Sequence, residues 1–301
     1  MLDLFGPTLV LHCASHQFIV QRRSHFGTSV GAPILVKVDG QAPAFAHPAH
    51  QLHQPFLTQL GNALTDFDCK DAVVNVVIPD AWCRLFVTTP PSNMASRLDC
   101  TAAVAMRFQT LYGESADAWL LQADWQVRKP FLAAAMPKAL RDDLFAILRA
   151  RKLRLTRLVP ESIDAWDQCC GAVSRGDWFA QLSDTAMTLI VLDGEQLRHI
   201  VQQPRDSIAR NDPNWLTHFI QREALRLNLP IPVRIACAGN VPAAWRKVDA
   251  QRDADADVNA QHPLCFVIAE KPHQIHAPRH RAARTDAVVR SKSVKSGEPV
   301  E

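Results

Sequence analysis

The feature that most constrains the fold is a set of three short β-rich segments that occurs twice in the sequence. The first set occupies residues 8–13, 18–21 and 34–38, and the second occupies residues 178–182, 187–192 and 196–201. Turn signals such as Asp193-Gly194 separate the segments, which is typical of antiparallel meanders. The repetition predicts two lobes, each built on a three-stranded meander.

Helices and further strands are predicted after each meander. Helical spacing of apolar residues indicates helices over residues 51–64, 97–112, 140–151, 212–230 and 241–248. Apolar runs indicate strands at residues 72–79, 82–88, 119–127, 130–136 and 233–237. In the helix at 97–112, the residues expected to face the core are Leu98, Ala102, Ala105, Phe108 and Leu111. These alternating elements predict an α/β fold.

Composition divides the chain into two lobes and a tail. We expect a first lobe at residues 1–170, a second lobe at residues 171–270 and a tail at residues 271–301. The tail lacks a sustained apolar pattern and has seven basic residues against three acidic ones, counting Lys and Arg against Asp and Glu. Such a segment cannot bury enough apolar surface to offset its conformational entropy. We therefore expect a disordered basic tail that folding does not require.

The overall composition indicates a soluble globular protein. Of its 301 residues, 48% are hydrophobic and 21% are charged, and the net charge is only +3. This small excess of positive charge disfavours a nucleic-acid partner. The eight cysteines form no Cys-x-x-Cys pair, and no stretch reaches about 18 apolar residues. We expect a cytoplasmic protein without a membrane span.

Common catalytic motifs are absent from the sequence. The eleven glycines never form Gly-x-Gly, and neither Gly-x-Ser-x-Gly nor Ser-x-x-Lys occurs in a strand-turn-helix context. These absences argue against P-loop and Rossmann enzymes and against the common serine hydrolases. No catalytic residue and no metal site is predicted.

The order of elements resembles the actin-like superfamily, and more narrowly the PilM-type pilus-assembly proteins and the cytoplasmic part of GspL-type secretion proteins. The resemblance covers about residues 5–248. It is carried by Ile78-Pro79-Asp80, by the strand and turn at 185–194, and by residues 233–239. It implies a two-lobed actin-like (ribonuclease H-like) α/β fold.

The resemblance also implies where a nucleotide would bind, and this sequence departs from the pattern there. Nucleotide-binding members carry an Asp-x-Gly turn in each meander and a Gly-Gly step after a late strand. Here these positions read His12-Cys13-Ala14, Gln181-Leu182-Ser183 and Ala238-Gly239-Asn240. Both carboxylates and both turn glycines are missing. We therefore expect a degenerate nucleotide site, no cofactor and no enzymatic activity.

By the same resemblance, the expected function is that of a cytoplasmic scaffold in a type IV pilus or type II secretion assembly. Its partner would be a cytoplasmic segment of a membrane-anchored protein, which recruits the chain to the inner membrane. Phe86, Met94 and Phe108 are the predicted partner-binding residues.

Two alternative functions remain open. In the first, the chain is an ATP-binding actin-like ATPase that uses Ser183, Asp184 and Gly239; in the second, it is a nucleic-acid-associated protein that acts through its tail. Whether a scaffold of this kind assembles into dimers or rings also stays open.

Overall fold

The computed structural model describes residues 8–14, 17–24, 29–38, 54–65, 72–92, 96–170, 173, 177–205, 212–242 and 265–268. These residues form two five-stranded sheets and one three-stranded sheet. Most of the predicted helix at 241–248 and the whole predicted tail lie outside the described residues.

The strands match the predicted strand segments with two additions. They are β1 (Thr8–Ala14), β2 (Gln17–Arg23), β3 (Ser29–Lys37), β4 (Val73–Ile78), β5 (Arg84–Thr88), β6 (Trp119–Ala123), β7 (Phe131–Pro137), β8 (Arg154–Pro160), β9 (Trp178–Leu182), β10 (Ala186–Asp193), β11 (Gln196–Pro204), β12 (Arg234–Gly239) and β13 (Cys265–Ile268). The additions are β8 and β13, which are not among the predicted strands. Strand β8 is an edge strand that is only partly buried, and it carries Arg154 and Arg157, so it lacks a continuous apolar run.

The helices are α1 (Gln54–Thr65), α2 (Arg97–Tyr112), α3 (Lys138–Ala150), α4 (Glu161–Cys169) and α5 (Pro213–Leu227), with short 3-10 helices at Asp80–Trp82 and Ala116–Ala118. The sequence does not predict α4, because nine residues are too few to show a helical period. None of the described helices combines the length and the apolar character needed to cross a membrane.

The first lobe is built on a mixed sheet of order β3-β2-β1-β4-β8. Strands β1, β2 and β3 form the predicted antiparallel meander, and β4 and β8 extend it in parallel. Leu60 of α1 and Leu140, Leu144 and Leu148 of α3 are fully buried in the core beside this sheet. Parallel addition places the carboxyl ends of β1, β4 and β8 at one edge.

An inserted subdomain, residues 84–137, lies between β4 and β8 in the chain. Its sheet has the order β5-β7-β6, and α2 covers one face. The rings of Phe86 and Trp119 lie beneath Phe108 of α2, with ring centroids 6.0 and 5.2 Å from the Phe108 centroid. This subdomain therefore has an aromatic core of its own.

The face that α2 buries differs from the predicted one. The buried residues are Cys100, Val104 and Phe108, while Leu98 is 78% exposed and Leu111 is 43% exposed. The prediction of a stripe through Leu98 and Leu111 was wrong. Small side chains at positions 100 and 104 let the helix sit over the large rings of the sheet, so packing volume decides the face rather than hydrophobicity alone.

The second lobe repeats the arrangement with a sheet of order β11-β10-β9-β12-β13. Strand β12 pairs in parallel with β9, and α5 packs Leu216, Ile220 and Ala224 against this sheet. The helix begins as predicted, with the Asp212 carboxylate accepting a hydrogen bond from the Asn214 N–H at 2.8 Å. Helix α4 joins the lobes, and Trp166 meets Phe179 of β9 edge to face at 5.4 Å.

Candidate functional site

Two acidic residues follow neighbouring strands of the first lobe and reach the same edge of its sheet. Strand β4 ends at Ile78-Pro79-Asp80, and β8 ends at Val159-Pro160-Glu161. The parallel register pairs Ile78 with Pro160, so Asp80 and Glu161 emerge side by side. Each proline is followed directly by a helical turn that carries the carboxylate inward.

Asp80 is buried, with 1% of its surface exposed. Its Oδ1 accepts hydrogen bonds from the N–H of Ser162 at 3.0 Å and from the Ser162 hydroxyl at 2.9 Å. Burial raises the pKa of Asp80 to about 6, against the opposing effect of Ser162 and of the nearby Thr188 hydroxyl. Thr188 lies on β10, so residues of both lobes surround this carboxyl.

Glu161 lies next to Asp80 and also contacts the second lobe. Burial, followed by the charge of Asp80, raises the pKa of Glu161 to about 8. Hydrogen bonds from the Asp80 N–H and the Ser183 hydroxyl act in the opposite direction, and the charge of Asp184 adds to the increase. Near neutral pH the two carboxyls therefore share about one proton.

Gln202 of β11 completes the contact between the lobes. Its amide nitrogen donates to the backbone oxygen of Asp80 at 2.7 Å and to that of Cys83 at 3.4 Å. Its side-chain oxygen accepts from the N–H of Leu85 at 3.4 Å. We call Asp80, Glu161, Ser162, Thr188, Ser183 and Gln202 the lobe junction. In it, the Gln202 side chain of the second lobe satisfies backbone groups of the first.

The three residues predicted for nucleotide binding lie together: Ser183 belongs to the lobe junction, and Asp184 and Gly239 are next to it. The Asp184 carboxylate accepts from the Asn240 side chain at 2.8 Å, and the Ser183 hydroxyl accepts from the N–H of Ala186 at 3.1 Å. Gly239 has φ +84°, and a Cβ at this position would lie 2.2 Å from the Leu182 carbonyl oxygen. Glycine is therefore required where β12 passes the end of β9.

Among the described residues, no group of three or more His, Cys, Asp or Glu side chains is placed to hold a metal ion. Phosphate would face the carboxyls of Asp80 and Glu161, and the Gln181 side chain fills space beside Gly239. In the first meander, Cys13 is buried, and burial raises the pKa of its thiol to about 12. The neighbouring positions 15 and 16 lie outside the described residues.

The predicted partner-binding residues do not form a surface. Phe86 is 3% exposed and Phe108 is 0% exposed, and both belong to the aromatic core of the inserted subdomain. Met94 lies outside the described residues. These rings are buried, so a partner would have to contact other side chains.

A second feature near the ends of β4 and β8, separate from the lobe junction, is an open apolar groove with a volume of about 80 Å³. Its floor is formed by Leu120 of β6 and by Ala134 and Met136 of β7. One wall is β8, which contributes four consecutive residues, 155–158, and α3 contributes Arg141 and Phe145 at the rim. Consecutive side chains point to opposite faces of a strand, so residues 155–158 come from both faces of β8. A groove that contacts both faces must run along the free edge of the strand. We call this feature the β8 groove.

The charges around the β8 groove are paired within the chain. Arg157 bonds to Asp164 at 2.5 Å and to Asp167 at 2.7 Å, and Arg141 bonds to Asp142 at 2.6 Å. Its remaining polar lining groups are Gln122 and Thr156. The groove therefore offers an apolar floor and a neutral, hydrogen-bonding rim.

Sequence reasoning missed Glu161, Ser162, Thr188 and Gln202. The signal for Glu161 is present, because Val159-Pro160-Glu161 repeats the strand–proline–acid pattern of Ile78-Pro79-Asp80. Recognising it requires β8 to be assigned as a strand. No comparable pattern marks Thr188 or Gln202, whose roles depend on how the lobes face each other.

The two five-stranded sheets have corresponding strand orders, and each is a meander extended by parallel strands. They face each other across the lobe junction, and this arrangement defines an actin-like fold. A Bacteroides thetaiotaomicron protein with an actin-like ATPase fold and unknown function matches with a TM-score of 0.54 and 10% identity, over 89% of this chain and 94% of that chain. A chain of a PilM–PilN type IV pilus biogenesis complex matches with a TM-score of 0.50 and 11% identity, over 81% of this chain and 69% of that chain.

A third similar structure is the cytoplasmic domain of EpsL, an inner-membrane component of the Vibrio cholerae type II secretion system. Its TM-score is 0.46 at 11% identity, over 77% of this chain and 82% of that chain. No family model and no curated protein sequence matches the chain. The first two structures confirm the predicted fold class, and the chain has the actin-like fold.

Proposed function

We propose that the protein is a non-catalytic adaptor that binds an extended segment of a membrane-anchored partner in the β8 groove. The observation that carries this proposal is the free edge of β8 running beside an apolar floor. Within the described residues β8 pairs only with β4, so the outer row of its backbone groups is available to an added strand. Such edges bind extended peptides through main-chain hydrogen bonds.

The lining of the groove indicates the chemistry of the segment. Leu120, Met136 and Leu158 offer apolar contacts, and Gln122 and Thr156 offer neutral hydrogen bonds. A strand that alternates apolar and uncharged polar residues fits both, with its apolar side chains directed to the floor. A highly charged segment would gain little, because Arg141 and Arg157 are already paired.

The similarity in fold to a chain of a complex named for pilus biogenesis supports the choice of partner. A cytoplasmic adaptor of this kind would be held at the inner membrane by its partner. The assembly would be of the type IV pilus or type II secretion kind.

The test is membrane recruitment in the source cell with Phe145→Glu as the variant. Phe145 stands at the rim of the groove and is 37% exposed, so a charge there should leave the fold intact. Losing one apolar anchor typically costs roughly 2 kcal/mol, so we expect the membrane-bound fraction to fall about tenfold or more. Crosslinking from position 145 would then identify the partner.

The matched control is Leu98→Glu on α2, which places the same charge on a 78% exposed residue away from the groove. We expect this control to sediment with membranes as the wild type does. Equal loss in both variants, or a wild type that never sediments with membranes, would contradict the proposal. Both variants must retain the melting temperature of the wild type.

A further inference from the structure

One end of the first-lobe sheet carries a concentration of positive charge. The strand register runs from Arg23 of β2 across β1 and β4 to Arg154 of β8, so these two arginines lie in one row at the amino ends of the parallel strands. Arg22 precedes Arg23 on β2, and the turn that joins α3 to β8 brings further cations to the same end. We call this feature the basic end, and its members are Arg22, Arg23, Arg149, Arg151, Lys152 and Arg154.

Acidic residues in the described part of the chain do not neutralise the basic end. The five strands of the sheet and helix α1 contain no Asp or Glu, and α3 has only Asp142 and Asp143, both in its first half. Arg22 and the four cations at 149–154 are exposed, and no member of the basic end forms an ion pair with another described residue. The connection at 66–71, which lies outside the described residues, adds three Asp and one Lys, so an excess of positive charge remains.

The basic end adjoins the β8 groove. Arg154 directly precedes Leu155, the first of the four consecutive β8 residues that line the groove, and the lining continues to Pro160 near the lobe junction. A segment bound along β8 therefore has one end beside the basic end and the other beside the junction. Of these two places, the basic end is the one whose charge attracts anionic lipid.

We propose that the basic end binds the anionic surface of the bilayer directly, at the point where the partner segment leaves the β8 groove. The choice of a bilayer rests on the proposed function, in which that segment belongs to a membrane-anchored protein, and on two further observations. Val30 of β3 is 45% exposed and stands opposite Arg22, so it offers an apolar side chain to the lipid interface. The basic end includes no aromatic ring on which a nucleic-acid base would stack.

The expected size of the effect follows from the number of cations. A Lys or Arg close to an anionic bilayer contributes about fivefold to the binding constant, and its attraction falls off within a Debye length of about 8 Å at physiological salt. The exposed members of the basic end lie at one end of one sheet, so they approach a flat surface together. Neutralising two of them should therefore weaken binding about thirtyfold.

The experiment is cosedimentation of the purified full chain with vesicles that contain no partner protein, so its result is separate from the test of the β8 groove. We expect the wild type to bind vesicles with about one third phosphatidylglycerol and to stay in solution with pure phosphatidylcholine. Arg149→Gln combined with Arg154→Gln should weaken binding to the anionic vesicles about thirtyfold. Arg22→Gln combined with Lys152→Gln is a second pair and should do the same.

The matched control combines Arg128→Gln with Lys129→Gln, which removes the same charge from exposed residues in the turn between β6 and β7. It should bind as the wild type does, and melting temperatures equal to that of the wild type will show that the variants are folded. A wild type that does not bind anionic vesicles, or test pairs that bind no more weakly than the control, would overturn the proposal. A loss of affinity for duplex RNA without a change in vesicle binding would overturn it too, and would assign the basic end to a nucleic acid.

Discussion

The lobe junction and the β8 groove are built from the same two strand ends, yet they differ in every physical respect. Ile78 and Pro160 line the groove, and Asp80 and Glu161, within two residues of them, form the junction. The junction is polar and lies between the lobes, with Asp80, Ser162 and Thr188 buried, while the groove is apolar and open. One pair of parallel strands thus supplies both a closed contact and a surface available to a partner.

The difference between the two regions indicates that a partner binds at the β8 groove and not at the lobe junction. At the edge where the lobes meet, the Asp80 carboxylate accepts from Ser162, and the Gln202 side chain donates to the Asp80 backbone oxygen. The β8 groove offers apolar surface without a covering element among the described residues. Substitutions in the junction should therefore change stability, and substitutions in the groove should change association.

Gly239→Ala should have the largest effect on the free energy of unfolding. It tests how tightly β12 packs against β9 beside the lobe junction. The added Cβ would meet a backbone oxygen at 2.2 Å, in a residue with φ +84°. We expect a loss of about 3 kcal/mol or more in the free energy of unfolding, measured by urea denaturation.

Gly113→Ala separates the two causes of that loss. Gly113 has a similar φ of +67° but open space around its Cβ position, so its variant should lose only about 1 kcal/mol. Equal losses in the two variants would show that backbone conformation alone, and not the close approach of β12 to β9, makes glycine necessary.

Gln202→Ala should have an intermediate effect, because it leaves backbone groups of Asp80, Cys83 and Leu85 without their second-lobe partner. We expect about 2 kcal/mol of destabilisation in the same measurement. Gln203→Ala, the next glutamine on β11, is the control and should stay within about 0.5 kcal/mol of the wild type. If both variants behave alike, the junction contributes little to holding the lobes.

Magnesium ATP should have the smallest effect on the protein. A ligand stabilises a protein only when it binds the native state. At millimolar concentration we expect the melting temperature to change by less than about 1 °C. A saturable rise in the melting temperature would show that ATP binds, which would contradict a binding role for the β8 groove alone and favour the ATP-binding alternative. Ser183, Asp184 and Gly239 would then be the first positions to mutate.

The sequence predicts the parts of this fold whose residues are uniformly apolar. The strands at 72–79 and 178–182 appear close to their observed positions, because both faces of β4 and β9 are buried. Strand β8 could not be predicted, since its outer edge is open and its arginines pair with α4 carboxylates that sequence alone does not place.

The candidate site was less predictable than the fold. Gly239, Ser183 and Asp184 were identified from a family pattern and do lie together. The link between Asp80 and Glu161 depends on the parallel register of β4 and β8, which joins residues 82 positions apart, as in the Ser162–Asp80 hydrogen bond. The strand–proline–acid pattern marks both strand ends in the sequence, but the register that brings them together leaves no local trace.

The inserted subdomain has a consequence for the order in which the chain folds. Strands β4 and β8 must find each other across residues 79–153, and closing a long loop costs entropy. Within that loop, β5 pairs with β7, which brings Arg84 opposite Ala135 and shortens the distance between the loop ends. A subdomain with local contacts and its own aromatic core can form early. It then acts as a preformed bridge, and the pairing of β4 with β8 becomes a late but short step that brings Asp80 and Glu161 together.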